Sequence, residues 1–226
     1  MSDMIDQTDR VRFRGRAEAG RALARALPHY AGRDDVVVLA LPRGGVPVGY
    51  EVAKELGVPL DVFLVRKLGV PRHEELALGA IASGGVLVLD DRVLRWLGIN
   101  KGQIQKTLAR ELDELRRREA AYRDGRPLSA LKGKTVILVD DGLATGASMQ
   151  AAARAVRRHQ PARIVIAVPV ASRPTCDQLR DEVDEVVCAV TPVPFYAVGN
   201  WYEDFSQTTD EEVRELLALS AARDSD

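Results

Sequence analysis

The sequence predicts an α/β fold built on a doubly wound parallel sheet, and three observations predict it. Apolar, β-branched runs stand at Val36–Leu41, Val136–Val139 and Ile164–Val170, with shorter relatives at Leu60–Val65 and Val186–Val190. They lack the polar alternation of a half-exposed strand and suit strands covered on both faces. Helical patterns lie between them, at Gly45–Leu56, Gly146–His159 and Pro174–Val183, the last opened by Ser172 as an N-cap. This alternation implies right-handed βαβ crossovers, and sheets of that kind collect ligands outside the carboxyl ends of their strands.

The remaining segments elaborate that core. Arg16–Leu27 reads as an amphipathic helix. Ala77–Leu89 holds two short apolar stretches around Ser83-Gly84-Gly85 and reads as an antiparallel hairpin arm. Asn100–Arg123 is charged and helical, with Ile104, Leu108, Leu112 and Leu115 on one stripe and Arg116, Arg117 and Arg118 largely opposite. That basic face is either a solvated surface or a partner-binding patch. Pro192–Phe205 is aromatic-rich, and the polar end, Ser220–Asp226, is expected to fray.

Composition narrows the function. With 226 residues the chain can bury a full core, and one domain over 1–226 is expected, with its core at about 34–190 and a helical insertion at about 91–124. Lysines and arginines number 32 against 33 acids, so no global basic field would hold a nucleic acid. Any anion site must be local. Cys176 and Cys188 lack a C-x-x-C spacing or nearby histidines at zinc-ligand spacing, which indicates neither a metal site nor a disulfide framework. Met1–Arg16 has no apolar stretch of a signal peptide, and no run reaches the roughly 18 apolar residues of a membrane span. A soluble, cytoplasmic protein with no membrane partner is expected.

The chemistry concentrates in Val136–Ser148, which reads VILVDDGLATGAS. A buried strand delivers two adjacent carboxylates, Asp140 and Asp141, which can accept hydrogen bonds from the vicinal hydroxyls of a ribose. Gly142 and Gly146 allow unusual backbone angles. Successive N–H groups of Gly142, Ala144, Thr145, Gly146, Ala147 and Ser148 can therefore converge on one anion at the start of the following helix. Thr145 and Ser148 add hydroxyls. Competing motifs fail: Gly133-Lys134-Thr135 has Leu128 where a Walker A loop needs its first glycine, and no G-x-G-x-x-G occurs. Gly146-Ala147-Ser148-Met149-Gln150 lacks the last glycine of a nucleophile elbow, so Ser148 is not read as a nucleophile.

On these residues the chain resembles the type I phosphoribosyltransferases, whose binding motif for 5-phosphoribosyl 1-pyrophosphate (PRPP) is four apolar residues, two acids, then x-x-x-Thr-Gly-x-Ser/Thr. The resemblance implies that Asp140 and Asp141 hold the ribose hydroxyls and that Ala144–Ser148 wrap the 5-phosphate. Ala40-Leu41-Pro42-Arg43-Gly44-Gly45 stands where the family places its pyrophosphate loop, with Arg43 as a bidentate ligand and glycines admitting close backbone approach. Val65-Arg66-Lys67-Leu68 leads into a polar stretch, Gly69–Glu75, where similar proteins carry a mobile lid. Lys67 or Arg66 would neutralise the leaving pyrophosphate there, or stand solvated at a strand end. Residues at about 191–205 resemble the hood that grips a nucleobase, making Phe195, Val198, Trp201 and Tyr202 acceptor-binding candidates. Core packing is the other reading of these aromatics.

The resemblance further implies Mg2+ as cofactor, held by Asp140 and Asp141, directly or through water, with Glu203 or Asp204 as an added candidate. It implies PRPP and a small-molecule acceptor as partners, pyrophosphate as product, and a homodimer by analogy. Ala144 stands where hypoxanthine-guanine members usually carry an aspartate, whereas the hood resembles the purine enzymes, so the acceptor stays open. A PRPP sensor without catalysis is the alternative.

Overall fold

The computed structural model describes residues 12–70, 73–89 and 101–223. The expectations for the first residues, for part of the Gly69–Glu75 stretch, for 91–100 and for the last three residues lie outside them, whereas Ser220–Arg223, expected to fray, completes the last helix with Ser220 buried. In chain order the elements are α1 (Arg16–Ala24), β1 (Val36–Ala40), α2 (Gly45–Leu56), β2 (Leu60–Val62), β3 (Val65–Val70), β4 (His73–Ala82), β5 (Val86–Leu89), α3 (Lys101–Arg123), β6 (Thr135–Val139), α4 (Ala147–Arg157), β7 (Arg163–Val170), α5 (Arg173–Leu179), β8 (Glu185–Val190) and α6 (Asp210–Arg223).

Five strands form a parallel sheet in the order β2-β1-β6-β7-β8. β1 and β6 are buried along their whole length, as their unbroken apolar sequences require. Alternate residues serve opposite faces. Val37, Leu39, Val136, Leu138 and Ile166 pack with Met149, Ala152 and Val156 of α4 and Leu179 of α5. Val36, Val38, Ile137, Val139 and Val165 pack with Leu23 of α1 and with Val48, Val52 and Leu56 of α2. Each such leucine, isoleucine or valine contributes roughly 1.5–3 kcal/mol by leaving water. Ser172 caps α5 as expected, its hydroxyl accepting from Thr175 N at 3.2 Å.

The run expected as one strand at Leu60–Val65 is split. Phe63 N donates to Ala40 O at 2.9 Å, the last bond to the parallel sheet. Leu64 N then donates to Ser83 Oγ at 2.9 Å and Ser83 N returns a bond to Leu64 O at 2.9 Å, carrying the chain into a second, antiparallel sheet. That sheet runs β3-β4-β5 and packs against α4 and α3. The expected hairpin is its β4–β5 half, turning at Ser83–Gly85. In the stretch expected to lead into a lid, Gly69 pairs with Ala77 and Val70 with His73, so its described residues are strand.

α3 lays Leu115 fully into the core, with Leu108 and Leu112 partly buried beside Leu68, Ile81 and Leu217; the Ile104 side chain lies outside the described residues. On its other face Arg117 and Arg118 bind Glu114 at 2.8 and 2.7 Å. Arg123 pins the end of α3 to the edge strand, donating to Asp61 Oδ1 at 2.8 Å and to the carbonyl of Val62.

The cysteine expectation is corrected as well: Cys176 of α5 and Cys188 of β8 are joined in a disulfide, their Cα atoms 7.1 Å apart. The β7–α5–β8 crossover lays the helix beside the strand that follows it. That is a product of topology, and a separation of 12 residues does not announce it.

Candidate functional site

The sheet reverses its winding between β1 and β6: from β1 the chain moves outward to β2, and from β6 it moves the other way through β7 to β8. Such a switch point opens a crevice at the carboxyl ends of the strands. Two loops meet there. Leu41 N donates to Val139 O at 2.9 Å, aligning the loop after β1 with the acids after β6. A Cβ on Gly45 would lie 2.8 Å from Val139 O and 2.9 Å from Asp140 Cα, and one on Gly44 would lie 2.0 Å from Asp141 Oδ2. The two glycines therefore serve close approach, and the Pro42–Arg43 peptide between them and the strand is cis.

Asp140 turns Oδ1 to accept from Asp141 N at 2.8 Å. Burial pushes its carboxyl well above the ordinary carboxylate range, and neighbouring Asp141 adds to the shift. Asp141 is also pushed up by burial, against the opposing pull of Arg16. Arg16 Nε and Nη2 both reach Asp141 Oδ2 at 2.8 Å. The Asp141 side chain keeps 16% exposure, and Asp140 is partly buried and lines the hollow beside the loop that follows.

Beyond the acids, the loop is braced from behind. Leu143 N donates to Val170 O at 3.0 Å, and Ala144 O accepts from the Thr175 hydroxyl at 2.7 Å. Gly146 is left-handed (φ 70°), and a Cβ there would also meet Thr175 Cγ2 at 2.8 Å, so glycine is required twice over. Gly146, the residue before α4, has no side chain to cap the helix, and the first amide, Ala147 N, donates to Thr145 Oγ1 at 3.5 Å; this helix start borders the hollow of about 130 Å³ that Asp140, Gly142 and Leu143–Met149 line. Amides at a helix start favour an anion. A larger hollow of about 250 Å³ lies elsewhere, beneath α3 and α6. It holds Asp61 and Arg123, which bind each other.

The structure thus brings together Asp140, Asp141, Gly142, Ala144, Thr145, Gly146, Ala147, Ser148, Arg43 and Gly44. Arg43 is half-buried, its Nη1 3.8 Å from Asp210 Oδ1, which also accepts from the Tyr122 hydroxyl at 2.6 Å. Arg66 is engaged elsewhere: its Nε donates to Glu111 Oε2 at 2.6 Å, tying β3 to α3. Lys67 is the exposed member of that pair.

In the hood, Phe195, Val198, Trp201 and Tyr202 cluster with Phe13, Ala19 and Val170. Val198 seats on the loop, for a Cβ on Gly142 would come within 2.5 Å of its Cγ1. Tyr202 is buried, and its hydroxyl donates to Asp141 O at 2.6 Å, so its ring supports the acids instead of standing free for stacking. Burial raises its hydroxyl pKa, keeping it a donor. More open than Tyr202 is the Phe205 ring, 5.0 Å from it and 4.2 Å beneath the Arg16 guanidinium. Glu203 and Asp204 are exposed, and Asp204 Oδ1 accepts from Ser206 N at 2.9 Å. Arg16 is a site neighbour that the motifs do not reveal, whereas Phe205 ends the hood segment without being among its acceptor-binding candidates. Arg16 stands 125 positions before its partner, and no local pattern joins them.

Comparison with known proteins agrees with this architecture. "Putative phosphoribosyl transferase Rv0571c" of Mycobacterium tuberculosis strain H37Rv and its counterpart MT0597 in strain CDC 1551 are each 47% identical over 205 residues, covering 91% of this chain. The chain spans 46% of the length of these curated relatives. The crystal structure of TT1426 from Thermus thermophilus is 49% identical with a TM-score of 0.82, covering 91% of this chain and 97% of that one. A family model described as the phosphoribosyl transferase domain matches residues 13–198. By sequence and by fold, the chain belongs to the phosphoribosyl transferase domain family.

Proposed function

We propose that this chain transfers the 5-phosphoribosyl group of PRPP to a nucleobase-like acceptor and releases pyrophosphate. One observation carries the reading. Two adjacent carboxylates leave the central strand beside a helix start preceded by a glycine, with Arg43 and Gly44 on the neighbouring strand end. The spacing suits a ligand with a vicinal diol, a phosphate on one side and a pyrophosphate on the other. In this reading Asp140 and Asp141 accept from the ribose hydroxyls and the 142–148 amides hold the 5-phosphate. Arg43 and the exposed Lys67 neutralise the pyrophosphate.

The reaction is a displacement at carbon: the bond from C1 to the pyrophosphate oxygen breaks and a bond from C1 to an acceptor nitrogen forms. The transition state has oxocarbenium character, so positioning and charge neutralisation of the leaving group do most of the work. Asp140 and Asp141 are hard oxygen donors, and Mg2+ is commonly held by one or two carboxylates plus substrate phosphates, so the residues present fit that ion. When bound it supplies charge neutralisation on the phosphates. Among the described residues no helix is long and apolar enough to cross a membrane.

The test is a panel of purine and pyrimidine bases offered with PRPP and Mg2+, read as pyrophosphate release. Acceptor-dependent release supports the transferase. Tight PRPP binding with no release for any base would replace it with a PRPP sensor.

A further inference from the structure

We propose that Arg16 is a positioning residue that fixes Asp141 for the ribose and couples that acid to the hood; this rests on the reading of Asp140 and Asp141 as the ribose-binding pair. Arg16 opens α1, far in sequence from every motif, yet three segments of the site meet on its guanidinium. Nε and Nη2 both bind Asp141 Oδ2 at 2.8 Å. Nη1 donates to Ser206 O at 2.7 Å. The flat face lies 4.2 Å over the Phe205 ring. A Cβ on Gly44 would stand 3.3 Å from Arg16 Nε and 2.0 Å from Asp141 Oδ2, so the loop after β1 gives up a side chain where the pair sits.

The pair is neither a surface contact nor a dry core bridge, the two side chains being 12% and 16% exposed. Both donors take the same carboxylate oxygen. Asp141 is thereby held in one rotamer with Oδ1 left as the acceptor that a sugar hydroxyl needs. Supporting contacts of this kind keep a binding group within a fraction of an ångström of its working position. The planar fork matters as much as the charge. Only a guanidinium can set two N–H groups on Asp141 Oδ2, donate to Ser206 O and stack on Phe205 together. Motion of the segment after the hood therefore pulls on the ribose acid, and PRPP bound at Asp141 steadies that segment in turn.

Calorimetry of PRPP with Mg2+ on the wild-type chain, R16A, R16K and F205A tests this, alongside thermal unfolding of each. R16A should weaken PRPP by about 10- to 100-fold, the span of one lost charge-assisted hydrogen bond. R16K keeps the charge but not the fork, and should still lose about 3-fold or more. F205A, which leaves the ion pair and removes the ring, should fall between the wild type and R16A. A purely structural role gives a different outcome: lower thermal midpoints with unchanged PRPP affinity in the folded protein, which would overturn the proposal. Should R16A fail to fold, R16K decides alone, and wild-type affinity in R16K refutes the coupling. If the wild-type chain itself has no affinity for PRPP, the ribose reading falls and the proposal with it.

Discussion

Replacing Gly44 with alanine adds one methyl group at the most crowded point of the site. The new Cβ would lie 2.0 Å from Asp141 Oδ2 and 2.7 Å from its Cγ. The backbone at Gly44 is ordinary right-handed helix (φ −58°, ψ −31°), so alanine fits the conformation without strain. At an uncrowded position that exchange stabilises a protein by about 0.4–1 kcal/mol. Here the carboxylate must shift, and its shift breaks one or both of the 2.8 Å bonds from Arg16. A charge-assisted bond contributes about 1.5–3 kcal/mol, and overpacking a tight site costs a similar 1–3 kcal/mol, so a net loss of about 1–3 kcal/mol is expected. At about 2–4 °C per kcal/mol for a chain of this size, Tm falls by roughly 2–12 °C. The assay is calorimetric unfolding of four proteins: wild type, G44A, D141A and the double variant. With Asp141 cut back the clash is gone, and G44A becomes neutral or slightly stabilising in that background, a coupling of about 1 kcal/mol or more. Equal losses in both backgrounds would refute the steric account, as would no loss in the first.

Three further outcomes follow from the same geometry. Asp61→Ala removes one of the two carboxylates on the buried Arg123 guanidinium, leaving Glu119 at 3.0 Å, and should cost about 1.5–3 kcal/mol, a Tm drop of roughly 3–12 °C in a thermal melt. Arg43→Ala should weaken PRPP and free pyrophosphate in a binding titration while sparing ribose 5-phosphate; equal losses for all three would remove Arg43 from the leaving-group end. Glu182 binds Arg154 and Gln150, and the Arg154 hydrogen bond holds its carboxyl below the usual range against the opposing effect of burial. A depressed carboxylate stabilises above its unfolded pKa of about 4.3 and loses that contribution as pH falls through the folded value. E182Q should therefore trail the wild type by about 0.2–1 kcal/mol at neutral pH and match it in strong acid, read from Tm against pH.

The parallel core was legible because its signals are local. Val136–Val139 and Ile164–Val170 are apolar without interruption, and only strands covered on both faces need that. The 142–148 loop was legible for a related reason, since the residues that build it follow one another along the chain. What escaped depends on distant segments meeting. Leu60–Val65 reads as one strand until Ser83 captures Leu64 and turns the chain into the arm. Arg66 looks like a free cation until α3 presents Glu111 to it. Tyr202 looks like a stacking ring until the fold buries it and spends its hydroxyl on the Asp141 carbonyl. Cys176 and Cys188 meet because a crossover helix lies against its following strand. Arg16 shows the same rule most clearly, because nothing near it in sequence resembles a site, yet it binds Asp141 across 125 positions.

The affinity of PRPP for the two acids is the quantity on which the assigned site most directly depends. Calorimetric titration of PRPP with Mg2+ into the wild-type chain and into the paired Asp140→Asn, Asp141→Asn variant measures it. Amides in place of the carboxylates keep the shape and remove the charged acceptors, so binding heat should vanish while the circular dichroism spectrum and cooperative melt persist. Equal affinity in the two proteins would contradict the assignment of the ribose to this site.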